Sequence, residues 1–161
     1  VVEGGCALTG PVQLPDPLAG LTALLGASLE QVVAGHPVAE TQIDRDVRFR
    51  RLDGAIVVHD LAGLPGVQVC LHDGVVKAIY VGRGPILSAL VAEELDEALG
   101  EPEAEWAART GAGHTQRVYP RTGVAVAGDR HTVAAIELFS PTSLAQYLVA
   151  FEHDPAPEPI R

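Results

Sequence analysis

The sequence predicts an α+β domain: two related helix-plus-antiparallel-hairpin units forming one compact domain, closed by a C-terminal helix. Three observations predict it. Residues 66–85 (GVQVCLHDGVVKAIYVGRGP) and 123–142 (GVAVAGDRHTVAAIELFSPT) align without a gap, at an offset of 57 from Gly66 to Gly123. Val67 then matches Val124, Val69 matches Val126, Val76 matches Val133, Ala78 matches Ala135 and Ile79 matches Ile136. Upstream of each block a helical pattern ends in Gly-x-Pro-x-Ala-Glu, in AGHPVAE at 34–40 and LGEPEAE at 99–105. Downstream of each stands X-Pro and a further helical pattern. One such unit buries too little surface to fold alone, so two units are expected to join or stack their sheets, with helices on one face. The strands are short and turn-linked, without a long βαβ rhythm, and are therefore expected to be antiparallel.

Residues 1–17 hold Gly4, Gly5, Gly10, Pro11, Pro15 and Pro17 and read as an irregular N-terminal segment. The first unit runs over 18–85. Leu18, Leu21, Leu24 and Leu25 have helical spacing, and Gly26 interrupts them. Ser28 and Gln31 have capping-box spacing ahead of a short helix over 29–34, with Gly35 and Pro37 as stop signals. DVRFRRL (46–52) reads as a strand with Val47 and Phe49 inward and Arg48 and Arg50 towards water. GAIVVHDL (54–61) is a second strand. Asp73-Gly74 accepts the positive φ of a two-residue turn, and a type I′ register pairs Leu71 with Val76, Val69 with Ala78 and Val67 with Tyr80.

The second unit runs over 86–152. It opens on the strongest helical pattern, ILSALVAEELDEALG (86–100). Leu87, Leu90, Val91, Leu95, Ala98 and Leu99 form its buried stripe, and Glu93, Glu94, Asp96 and Glu97 its wet face. Residues 101–118 show little periodicity, with TGAGHT as a loop. Val124 and Val126 begin a strand that Val133 to Phe139 return. Ser140 is expected to cap the closing helix, with Pro141 near its first position and Leu144, Tyr147, Leu148 and Phe151 as its stripe. The tail 153–161 carries three prolines and reads as flexible or extended.

Bulk properties exclude several functions. The net charge is -10, eleven basic residues against twenty-one acidic, which argues against nucleic acid as a partner. Apolar residues are 47% and aromatics 4%, so the core is aliphatic. Two cysteines, Cys6 and Cys70, are too few for a disulfide scaffold, and a reducing compartment such as the cytoplasm is the default expectation. No apolar run reaches the length of a transmembrane segment. The chain opens on Val1 rather than Met, which leaves room for a removed leader or a larger parent protein.

Few residues invite chemistry. Cys70 and His72 lie close to the first hairpin turn, and His59 ends the strand before it. If those strands are neighbours, the three could hold zinc, which Cys and His both ligate. The plainer reading, and the one expected, is Cys70 as a small hydrophobe and His72 on the wet side of the turn. His59-Asp60 and His72-Asp73 are adjacent in strands, so each pair is expected to point to opposite faces. His114 stands beside Thr115 in a loop. GRGP (82–85) lacks the Gly-Lys-Ser/Thr of a phosphate loop. No metal or cofactor is predicted. Glu93, Glu94, Glu97, Arg48 and Arg50 are candidate interaction residues.

SLEQV at 28–32 and LGEP at 99–102, with this element order, resemble small bacterial tandem helix-plus-hairpin proteins. Examples are the beta-lactamase inhibitory proteins and the outer-membrane assembly lipoproteins. In those families a helix beginning near Ser-x-x-Gln/Glu-Val and ending Leu-Gly-x-Pro precedes an antiparallel sheet. Here the two pieces fall in different units, so no functional residue carries over. The resemblance implies a binding module. The favoured expectation is therefore a non-catalytic binding or protein-interaction module, taking a protein or a small apolar ligand, with self-association open. The alternative is a small enzyme or metal-dependent site built on the His and Cys residues of the first unit.

Overall fold

The computed structural model describes residues 13–108 and 110–151. The expectations for the tail and for most of the N-terminal segment, Cys6 included, lie outside the described residues. The strands are β1 (Ile43–Phe49), β2 (Leu52–Val58), β3 (Val67–His72), β4 (Val75–Val81), β5 (Ala104–Ala107), β6 (Thr115–Tyr119), β7 (Val124–Gly128) and β8 (Val133–Phe139). The helices are α1 (Asp16–Leu21), α2 (Leu29–Gly35), α3 (Pro85–Ser88), α4 (Ala92–Leu99) and α5 (Leu144–Phe151). All eight of these strands form one antiparallel sheet in the order β1-β2-β3-β4-β8-β7-β6-β5. Each half is a four-stranded meander, and the halves join edge to edge through β4 and β8. The class is α+β, with two helix-plus-strand blocks and a closing helix, as expected. No helix among the described residues is long and apolar enough to cross a membrane.

The strand pairing carries the repeat. Val67–Val81, Val69–Ile79 and Cys70–Ala78 across β3 and β4 become Val124–Leu138, Val126–Ile136 and Ala127–Ala135 across β7 and β8. At the junction Ile79 faces Leu138, Val81 faces Ile136, and Tyr80 faces its own counterpart, Glu137. A local two-fold axis therefore passes through the Tyr80–Glu137 pair.

A bulge corrects the expected hairpin register. Asp73 and Gly74 do form the turn, at φ of 53° and 83°. Lys77 is then left unpaired between Cys70–Ala78 and Leu71–Val76, as Ala134 is at the matching point of the second unit. Val69 thus faces Ile79, not Ala78, and Val67 faces Val81, not Tyr80. The inserted residue brings Val76, Ile79 and Val81 onto one face with Val67, Val69 and Leu71, which a regular ladder would split.

The sheet carries a core on each face. On one, Leu18, Val32, Leu87 and Leu95 from α1 to α4 pack on Val58, Val69, Ile79 and Ile136. On the other, Tyr147 and Phe151 of α5 pack on Phe139, Trp106 and the small residues Ala55, Cys70, Ala78 and Ala125. The helices are therefore not all on one face. Short side chains on the second face leave room for three aromatic rings, whose centroids lie 4.9 to 5.5 Å apart.

Three element boundaries also differ from expectation. The pattern over 86–100 is two helices, parted where Leu90 N–H donates to the Leu87 carbonyl and Val91 is extended. The break puts Glu93 and Glu94 in the first turn of α4, where free N–H groups favour negative charge. The unperiodic stretch 101–118 holds β5 and β6, too short and too polar to show alternation. Ser143, not Ser140, caps α5, its hydroxyl accepting from Gln146 N–H. The capping box at Ser28 and Gln31 forms as expected.

Candidate functional site

The first-unit residues are held by structural partners. His59 Nε2 lies 2.6 Å from Asp44 Oδ2 of β1, and its Nδ1 lies 3.1 Å from Gln68 Oε1 of β3. His72 Nε2 bonds the Asp53 carbonyl at 3.0 Å. Its Nδ1 is 3.4 Å from Asp73 Oδ2, contrary to the expectation that the two point apart. Asp73 has left the strand for a left-handed turn, and that folds its carboxylate back. His59 and His72 sit at opposite ends of the β2–β3 pair with Cys70 between them. Among the described residues no group of three or more His, Cys, Asp or Glu side chains converges as a metal site. His114 Nδ1 lies 2.9 Å from Thr110 Oγ1, closing the loop between β5 and β6.

Cys70 points into the core beneath α5. Burial pushes its thiol up to about 12, with the Glu137 charge adding to the rise and Arg50 opposing it. A thiol so protonated is a poor nucleophile. With Cys6→Ser in place, Cys70 is expected to resist iodoacetamide at pH 8 in the native protein and to react on unfolding. Mass spectrometry reads this, and rapid alkylation of the folded chain would contradict it.

A buried polar cluster lies beside Cys70. Glu137 is 3% exposed, with its Oε2 2.7 Å from Arg50 Nη2. The Tyr147 hydroxyl donates to Glu137 Oε1 at 3.2 Å and accepts from Gln116 Nε2 at 2.9 Å. Arg50 Nη1 donates to the Phe151 carbonyl at 3.1 Å, at the C-terminal end of α5. Burial raises the Glu137 carboxyl, opposed by the Arg50 charge and the Tyr147 hydrogen bond. Arg50 was expected to face water. It turns inward because the β1–β2 turn, with Arg50 at φ 53°, swings it under α5. Arg48 stays exposed, donating to the Arg50 carbonyl with Asp53 3.7 Å away.

The second locus is an open groove at the far end of the sheet. Asp96 and Glu97 of α4, Glu101, Glu105 of β5, and Arg117 and Tyr119 of β6 border about 370 Å³ of space. Arg117 pairs with Asp96 and lies across the strands from Glu105. Burial raises the Tyr119 phenol; Arg117 opposes this, while Asp96, Glu105 and Glu101 add to it. Of the acids on the expected wet face, Asp96 and the candidate interaction residue Glu97 line this groove; the other two candidates do not, Glu93 lying 3.6 Å from His131 and Glu94 being exposed. The sequence signal for the rest was the acid-rich run 93–105, but it did not indicate Tyr119 or Arg117.

The groove adjoins a strand edge that no other strand of the described residues pairs. Ala108 N–H donates to the His114 carbonyl. In an antiparallel ladder that parity turns the backbone groups of Ala104 and Trp106 towards β6, and those of Glu105 and Ala107 away from the sheet. No protein-family model, curated protein or solved structure matches the chain.

Proposed function

We propose that the protein is a non-catalytic protein-interaction module whose contact surface is the β5 end of the sheet. The observation that carries this reading is the edge of β5, open among the described residues and in regular register with β6, directly beside the acidic groove. An extended segment of a partner can add there as a further strand, its main chain bonding the outward groups of Glu105 and Ala107. The opposite edge is less suited. β1 has two register irregularities and carries the exposed Arg45–Glu40 and Arg48–Asp53 pairs, features that blunt a strand edge. The charged lining of the groove favours a protein partner over a small apolar ligand. The resemblance to tandem helix-plus-hairpin binding proteins points the same way.

Ala107→Pro tests the reading. It removes an outward N–H without touching the β5–β6 ladder, and an edge position tolerates proline. Proteins retained from native extract by the wild type are expected to be lost by the variant, with unfolding free energy changed by about 1 kcal/mol or less. Retention of the same set by the variant would contradict it.

A further inference from the structure

We infer that α5 is a lid: it lifts from the second face of the sheet as a unit while the eight strands and α1 to α4 stay folded, and the buried Arg50–Glu137 pair sets how often it does so. The inference stands apart from the interaction reading above. The chain is tied to the sheet as far as Thr142, whose N–H donates to the Pro120 carbonyl. After the exposed Ser143, α5 begins. It is eight residues long, too short to keep its form in water without packing. Its packing is one-sided. Tyr147 and Phe151 are buried against Phe139, whereas Val149 is 66% exposed and Leu144 and Leu148 are half-buried. The other face of the sheet is shared by α1 to α4, so the core beneath α5 depends on a single helix.

Two points of α5 are fastened by polar contacts, and both meet at one ion pair. The Tyr147 hydroxyl donates to Glu137 Oε1, and the Phe151 carbonyl accepts from Arg50 Nη1. Glu137 is the one fully buried charged residue among those described. Its Oε2 has Arg50 Nη2 at 2.7 Å and no further partner among the described residues. A carboxylate so placed has exchanged its water for one ion pair. Lifting α5 returns water to Glu137 and Arg50 together, so the intact pair opposes opening only weakly. Glu137 left without Arg50 would be a buried, uncompensated charge, and its solvation would drive the lid open. Cys70 reports the open state. It is buried beneath α5 beside Ala55, Ala78 and Ala125, so lifting the helix uncovers its thiol. Such openings are rare, and the thiol reacts slowly through them.

The test uses the full chain with Cys6→Ser, which leaves Cys70 as its thiol. Reaction with dithionitrobenzoate is followed as urea rises, below the unfolding transition. The logarithm of the Cys70 rate is expected to rise with about half the slope of global unfolding or less, because opening exposes one helix and one face. A thiol in the other core, Val126→Cys with Cys70→Ala, should follow the full slope. Without urea, Arg50→Met should speed the Cys70 reaction at least tenfold, and Glu137→Gln added to it should return the rate to within about threefold of the wild type. Tyr147→Phe keeps the ring and removes the donor, and should speed the reaction about fivefold. Where Arg50→Met is unfolded at the pH of the assay, Tyr147→Phe alone decides. The inference is overturned if Cys70 follows the full slope, or if the Val126→Cys thiol is as shallow as Cys70. It is also overturned if these variants lower global stability and leave the shallow reaction unchanged, since the pair would then stay formed while Cys70 is reached.

Discussion

Arg50→Met is expected to lower the unfolding free energy by about 3–5 kcal/mol at pH 7, because it leaves Glu137 charged and unpaired in the core. It also removes the donor to the Phe151 carbonyl at the end of α5. The loss should depend on pH in a definite direction. Burial raises the folded Glu137 carboxyl above its ordinary 4.5, so the folded state binds this proton more tightly than the unfolded chain does. Stability from this group is thus fully present below 4.5 and is lost as pH rises through the raised folded value. Arg50 is the largest force opposing that rise, and its removal widens the window. Urea melts of wild type and variant should converge as pH falls towards 4.5 and separate above it. Adding Glu137→Gln to Arg50→Met should recover much of the loss. A pH-independent difference, or no recovery, would contradict this account of the cluster.

Gly123→Ala is expected to cost more than about 3 kcal/mol, the sum of a backbone and a steric effect. Gly123 has φ 80°, where an L side chain is strained, and an added Cβ would stand 2.2 Å from the Phe139 carbonyl oxygen. Its N-terminal counterpart, Gly66, has φ 83° and a contact of 2.7 Å to the Arg83 carbonyl oxygen. Gly26 shares φ 83° with nothing within 4 Å, so Gly26→Ala should show the backbone cost alone, about 1–2 kcal/mol. Thermal or urea unfolding should rank the losses as Gly26, then Gly66, then Gly123. Equal losses at all three would show that the close approach to the paired strand contributes nothing.

What the sequence revealed was what local chemistry decides. The capping box at Ser28 and Gln31, the Asp73-Gly74 turn and the aligned hairpins each depend on residues close in the chain. The bulge at Lys77 was not legible, because it is set by which residues of β3 must share a face with Ile79 and Val81. The short β5 and β6 are strands mainly because β7 stands ready to pair with β6. The glutamate of AAIELF could have been flagged, as one acid in an apolar strand, but its partner Arg50 comes from a turn in the other unit. Cys70 and His72 drew attention by chemical type, and the structure gives them packing and turn partners. The groove draws on α4, the loop after it, β5 and β6, so only Asp96 and Glu97 could be placed from helical spacing.

The central claim is that contact is made at the β5 end and not at the histidines and cysteine of the first unit. Photo-cross-linking in native extract tests it most directly, with benzoylphenylalanine introduced at Ala107 on the open edge and, separately, at His72. A discrete adduct from position 107 and none from position 72 is the result expected. An adduct from position 72 with none from position 107 would contradict the claim and return attention to the first hairpin.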